Sequence, residues 1–144
     1  EHSMKPPLIL CGGGLPAGEQ IDTPVYMQDL MPTTLEMAGI PIPEDVAFKS
    51  LLPVVAGEIS YPAIYGAYKD KQRMIRVGKM KLIVYPQSAT RLLFDLEEDP
   101  REMKNLAEDP AYQSVLVQLE EALTREQQML GDPLLGHTFL KEEL

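Results

Sequence analysis

Tryptophan is absent from the 144-residue chain, and the other aromatics are few, at six Tyr and three Phe. One cysteine, Cys11, excludes an intrachain disulfide and any cysteine-rich zinc site. The two histidines, His2 and His137, are too few and too far apart for a histidine metal cluster. Basic residues are scarce beside acidic ones: 13 Lys and Arg against 22 Asp and Glu, a net charge of −9. A general nucleic-acid binder needs a basic footprint, so nucleic acid is excluded as a partner. No apolar stretch approaches the ~20 residues that span a bilayer, so no membrane span is expected. Pro7 to Cys11 is likewise too short for a signal-peptide core.

What remains is an ordinary globular composition, 44% hydrophobic and 24% charged, of single-domain size. The charge is uneven. Residues 1–94 hold nine acids and nine bases, whereas residues 95–144 hold 13 acids and four bases. Lys69, Lys71, Arg73, Arg76, Lys79 and Lys81 crowd together with Asp70 the only acid among them. This predicts a basic hairpin and an acidic helix.

Leu8-Ile9-Leu10-Cys11, bounded by Pro6-Pro7 and Gly12-Gly13-Gly14, has the pattern of a short buried strand. The glycines read as a plain turn. An anion cradle would want a Lys-Ser/Thr pair after them, and Pro16 stands where a helix would begin. Asp22-Thr23-Pro24 opens a helical stretch whose Met27, Leu30, Met31, Thr34, Leu35 and Ala38 form one apolar face, expected to be core. Pro32 should divide it, and Gly39 should end it. Ser50 to Pro53 predicts one further turn of helix, ending near Gly57.

From residue 63 the apolar period becomes two. Ala63–Tyr68, Arg73–Val77, Lys81–Tyr85 and Leu92–Leu96 read as four strands, with Gly78-Lys79 as a tight hairpin turn. Such a sheet has one face to cover. Asp109-Pro110 is an N-cap and first-turn proline for a long helix. Tyr112, Leu116, Leu119, Leu123 and Leu130 lie on its inner face, and Gly131-Asp132-Pro133 stops it. This predicts an α+β unit, a four-stranded antiparallel sheet packed by a long C-terminal helix.

No catalytic constellation follows from the residues alone. Glu97-Glu98-Asp99 lacks the alternating ligands and glycine of a calcium loop and reads as a solvated turn. Cys11, ending an apolar strand, is expected to be a buried, inert thiol. No Gly-x-Ser-x-Gly elbow is present. Arg73 and Arg76, three apart on a strand, point to opposite faces and are no ready-made anion grip.

Taken in order, the motifs resemble the C-terminal portion of a formylglycine-dependent sulfatase of the arylsulfatase family. They are Glu1-His2-Ser3-Met4-Lys5-Pro6-Pro7-Leu8-Ile9, Asp29-Leu30-Met31-Pro32-Thr33-Thr34-Leu35-Glu36-Met37-Ala38-Gly39, Ser50-Leu51-Leu52-Pro53, Gln72-Arg73-Met74-Ile75-Arg76, Lys79-Met80-Lys81-Leu82-Ile83, and Leu93-Phe94-Asp95-Leu96-Glu97-Glu98-Asp99-Pro100 followed by Glu102 and Asn105-Leu106-Ala107. The resemblance implies an alkaline-phosphatase-like α/β parent. Residues 1–60 would form part of the edge of its large domain, and residues 61–144 a C-terminal subdomain.

It also implies a parent that hydrolyses sulfate esters of a small molecule or glycan, using calcium and a formylglycine. Neither can be placed in this chain, because Cys11 is followed by glycines rather than the modification motif. The catalytic nucleophile, the metal ligands and a sulfate-contacting Lys would all precede Glu1. The chain is thus expected to be an inactive fragment with no catalytic or metal residue, whose partner is the missing N-terminal catalytic part. Export, periplasmic or secreted, is implied by the resemblance. His2, Lys5 and His137 are candidates for the substrate rim. One alternative is a non-catalytic module that binds a sulfated partner through the hairpin bases Lys69, Lys71, Arg73, Arg76, Lys79 and Lys81. A pseudo-enzyme parent is another.

Overall fold

The structure, a computed structural model, describes residues 5–136. The chain divides into two compact units, one running to Tyr61 and one beginning at Pro62.

The second unit is a four-stranded antiparallel sheet in the order β1 (Ile64–Tyr68), β2 (Gln72–Val77), β3 (Met80–Tyr85) and β4 (Thr90–Asp95). Each strand pairs with the next in sequence, as short apolar segments separated by tight turns should. The expected sheet and its long helix are both present. Register places Tyr65, Ile75, Leu82 and Leu93 in one row on one face, and Gly66, Met74, Ile83 and Leu92 in a row on the other. Contrary to the one-faced expectation, both faces are buried: Ile75, Leu82 and Leu93 on the first, Met74, Ile83 and Phe94 on the second. The continuous runs Leu82-Ile83-Val84 and Leu92-Leu93-Phe94 are the signature of this, since strict alternation would leave one face polar.

The long helix (Gln113–Leu130) follows a 3₁₀ turn, Pro110–Tyr112, which is capped by Asp109 accepting from the Ala111 N–H at 3.0 Å. The helix buries Leu116, Leu119, Ala122 and Leu123 against Ile75, Leu82, Val84 and Leu93. Leu130, expected inside, is exposed, and Gln127 takes the buried position instead. The reason lies in the polar cluster described below.

The outer edge of β4 is closed by side-chain mimicry of a strand. Asn105 Oδ1 accepts from the Leu93 N–H at 2.9 Å, its amide donates to the Arg91 carbonyl at 3.1 Å, and the Leu106 N–H bonds the Leu93 carbonyl at 2.8 Å. Leu106 and Ala107 then enter the core. An open edge is an aggregation liability, and this segment removes it.

The first unit has three short helical pieces: a 3₁₀ turn, Met27–Asp29, continuing into a helix at Leu30–Met37, and a single turn at Leu52–Val55. In chain order the α-helices are therefore α1 (Leu30–Met37), α2 (Leu52–Val55) and α3 (Gln113–Leu130). The helical stretch begins five residues later than Asp22, the expected start. Pro32 does not break α1, because it sits in the first turn, where no N–H is needed.

All three helices end in the same device. After α1 the Gly39 N–H bonds the Glu36 carbonyl and the Ile40 N–H bonds the Leu35 carbonyl. Gly57 and Gly131 repeat this after α2 and α3, each glycine in the left-handed region that the motif requires. Gly13, at φ +61°, also lies in the left-handed region, and a Cβ there would meet only the flexible end of Met37.

The predicted strand at Leu8–Cys11 does not form. A strand exists only by pairing, and among the described residues none pairs with it. Ile9 is 88% exposed, and Cys11 is exposed rather than buried.

Candidate functional site

The six hairpin bases do not share a surface. Lys69 and Lys71 lie in the turn before β2 and Lys79 in the turn after it, separated by a six-residue strand of about 20 Å. Arg73 faces the α3 side of the sheet; Arg76 and its cross-strand partner Lys81 face the other. Two of the six are buried inside ion pairs. Lys81 donates to Glu102 at 2.6 Å. Arg73 grips Asp132 with Nε at 2.6 Å and Nη2 at 2.8 Å. Lys79 is exposed and already paired with Asp95 and Glu97, each at 3.0 Å. Arg76 Nε donates to the Gly78 carbonyl at 3.0 Å. Three of the six bases, Arg73, Lys79 and Lys81, are thus engaged in ion pairs within the unit.

Asp132 is the centre of the densest polar cluster in the second unit. Besides the two Arg73 bonds it accepts from the Tyr65 hydroxyl, from Gln127 Nε2 at 3.0 Å and from the Leu134 N–H at 2.9 Å. The remaining Arg73 nitrogen, Nη1, donates to the Lys69 and Gln72 carbonyls at 2.6 and 2.9 Å. The Arg73 guanidinium holds the Asp132 carboxyl well below the usual carboxylate range, outweighing burial, with Tyr65, Leu134 and Gln127 assisting. Burial, then the Asp132 bond, pushes the Tyr65 hydroxyl up. A charged pair this thoroughly satisfied is built to hold shape rather than to exchange protons. It pins the chain after α3 to β1 and β2, and it explains the inward Gln127.

The first unit has its own buried polar centre. Asp29 is fully buried and accepts from the Tyr26 N–H at 2.8 Å, the Lys49 N–H at 3.2 Å and the Tyr61 hydroxyl at 2.6 Å. Thr33 donates to the Asp29 carbonyl at 2.5 Å and accepts from the Leu51 N–H at 2.8 Å. Tyr61 is pushed up by burial and then by Asp29. Its ring stacks edge-on with Tyr26, 4.8 Å between centroids. Neither Asp29 nor Asp132 stands out in the sequence, because nothing in the pattern around either one distinguishes it from an exposed cap or turn residue.

Lys5, the first described residue, is exposed and lies outside any helix or strand. His2 and His137 lie outside the described residues. Among the described residues no group of three or more His, Cys, Asp or Glu could hold a metal ion. The carboxylates here do not fit calcium: Asp95 and Asp99 cap turns, Asp95 accepting from the Glu97 N–H at 3.1 Å and Asp99 from the Met103 N–H at 2.7 Å, while Glu102 is spent on Lys81. Nor does Cys11-Gly12-Gly13-Gly14 fit a formylglycine site. No described helix is long and apolar enough to cross a membrane.

The family described as "N-sulphoglucosamine sulphohydrolase, C-terminal" matches residues 1–129. Arylsulfatase K of Homo sapiens is 33% identical over 123 residues, covering 74% of this chain and 23% of that protein. A Delta 4,5-hexuronate-2-O-sulfatase of Bacteroides thetaiotaomicron is 31% identical over 138 residues, covering 83% and 28%. A solved structure of a protein in complex with its substrate, D-glucosamine-2-N,6-O-disulfate, superposes with a TM-score of 0.64 at 28% identity, covering 73% of this chain and 24% of that one. The chain therefore spans about a quarter of the length of the curated relatives it matches.

Proposed function

This chain belongs to the family of N-sulphoglucosamine sulphohydrolase C-terminal regions, and from that premise we propose that it is the C-terminal portion of a hydrolase of sulfate esters borne by a sugar. The match over residues 1–129, with relatives that carry a sulfatase name, is the observation on which this rests. Residues up to about 60 form part of the edge of an alkaline-phosphatase-like α/β domain, and the rest is a C-terminal subdomain. Calcium and a formylglycine belong to the remainder of the protein, as do the nucleophile and the metal ligands. The hydrolase is exported. Lys5, with His2 and His137, contributes to the rim of the sulfate pocket.

The part played by this chain is then mechanical. The Asp132–Arg73 and Asn105–Leu93 fastenings hold the subdomain's chain ends and its β4 edge in place. The reading of the chain as a module that captures sulfated partners through Lys69–Lys81 is not favoured, since Arg73 and Lys81 are buried in pairs of their own.

The test is to express the complete reading frame containing this chain and measure inorganic sulfate released from a 2-O-sulfated unsaturated uronide and from glucosamine 6-O-sulfate. Release from either, with none by the 144-residue chain alone, is expected. No release from any sulfate ester by the complete protein, or turnover by the 144-residue chain, would overturn the proposal.

A further inference from the structure

We infer that a row of side chains at one end of the sheet, Tyr68, Gln72, Tyr85 and Thr90, is a binding surface for an acidic glycan chain, held by its sugar faces. Register builds the row. Tyr68 pairs with Gln72, and Tyr85 with Thr90. Arg73 pairs with Val84, so one residue further on Gln72 stands opposite Tyr85. All four lie two residues along from Gly66, Met74, Ile83 and Leu92, and so belong to the face opposite α3. The two tyrosines are two strand spacings apart, about 10 Å.

Burial changes sharply between the two rows. Met74 and Ile83 are buried, whereas Tyr68 is 56% exposed, Thr90 is exposed, and Gln72 and Tyr85 are half-buried. The polar groups of the row are also unengaged. Tyr61 and Tyr65 donate their hydroxyls to Asp29 and Asp132. The Tyr68 and Tyr85 hydroxyls and the Gln72 amide have no hydrogen-bond partner among the described residues. Folding therefore makes no use of them, and they are left to a ligand together with the ring faces.

Chemistry and charge name the occupant. A pyranose presents C–H bonds on its faces, which fit an aromatic face, and hydroxyls at its rim, which an amide and phenol hydroxyls can bond. Two rings about 10 Å apart with an amide between them meet successive sugars rather than one. Lys69 and Lys71, which follow Tyr68, are exposed, and among the described residues neither is in an ion pair. The Lys69 ammonium stands 5.7 Å from the Tyr68 ring centroid. Asp70 between them accepts from Gln87 Nε2 at 3.2 Å. This turn is net positive in a chain of net charge −9, which suits carboxylates or sulfates spaced along a glycan. The paired bases Arg73, Lys79 and Lys81 take no part, so the surface is not the basic hairpin as a whole. It rests on the sheet alone and needs no ester hydrolysis.

Calorimetric titration of the protein made from the complete reading frame tests this. The probe is a heparin hexasaccharide stripped of its sulfates, which keeps its uronate carboxylates and which a sulfatase cannot consume. Tyr68→Ala should raise its Kd about tenfold, Lys71→Gln about threefold, and Tyr68→Phe should leave it within twofold, because the ring and not the hydroxyl makes the stacking contact. Tyr68 is exposed enough for these variants to fold, and unchanged melting temperatures check it. No binding by the wild type, an unchanged Kd in Tyr68→Ala, or a loss in Tyr68→Phe as large as in Tyr68→Ala would overturn the inference. Binding of the probe without sulfate release from any ester sinks the functional proposal and leaves the glycan surface intact. Sulfate release with equal Kd for the wild type and Tyr68→Ala does the reverse.

Discussion

Helix α3 buries Leu116, Leu119 and Leu123 and leaves Glu121 and Gln128 to water. At α1 the arrangement is reversed: Asp29, Pro32 and Thr33 are inside and Met31 is outside. The two units are thus held together by different means. From Pro62 onward an apolar core does the work, and polar bonds such as Asp132–Arg73 and Arg91–Glu120, at 2.5 Å, fix the ends. Up to Tyr61 a polar network around Asp29 holds the fold, and apolar surface is left over. The first means of support is apolar packing, and the second is hydrogen bonding around a buried carboxylate. Substitutions in each should therefore differ in size and in kind.

The largest effect should come from Leu119→Asp. It sets a charge at the centre of the α3–sheet core, and the loss of packing with the cost of burying a carboxylate amounts to roughly 5 kcal/mol. The second unit should be unfolded at room temperature by circular dichroism. A near-native melting curve would mean that its core does not carry its stability.

Asp132→Ala should cost about 3 kcal/mol, because Arg73 would be left buried without its carboxylate. The pair also has a pH signature. The folded Asp132 carboxyl titrates below its unfolded value, so its stabilisation is complete above the ordinary carboxylate value of about 4 and is lost as pH falls toward the depressed one. Melting temperature should drop between those limits in the wild type and drop less steeply in Asp132→Asn. Parallel curves would remove the pair from the list of stabilising contacts.

Asp29→Asn in the first unit should cost less, about 1–2 kcal/mol, because it weakens bonds to neutral donors rather than breaking an ion pair. The loss should be local: amides of Met27–Met37 should exchange faster while those of β2 and β3 do not change. Equal acceleration in both units would show that they share one cooperative core.

The sequence announces the two units unequally. Period-two runs place the four strands within two residues, the Asp109-Pro110 cap marks the 3₁₀ turn that leads into α3 three residues later, and Gly131 marks its end, because in that unit local pattern and burial agree. Leu8–Cys11 and the α1 stripe mislead for the opposite reason. Both are apolar, yet Ile9 and Met31 are exposed. The polar centres were illegible for a different cause. Gln127 looks like an outward residue by type, and Asp132 like a simple helix stop. Only the fold brings them together with Arg73 and Tyr65. The hairpin bases show the same limit: six cations in thirteen residues suggest a patch, but strand alternation sends Arg73 to one face and Arg76 and Lys81 to the other.

Met31→Lys in the 144-residue chain should have the smallest effect of all, within about 0.5 kcal/mol, since a half-exposed side chain is replaced by one that welcomes water. By its position on an apolar helical stripe it should have cost several times more, as Leu119→Ala in α3 will at roughly 3 kcal/mol. Chemical denaturation of the two variants under identical conditions makes the contrast direct. A large loss for Met31→Lys would mean that the chain covers this stripe with its own residues. A silent Met31 beside a costly Leu119 means that the same apolar pattern is packed into a core in one helix and left half-exposed in the other.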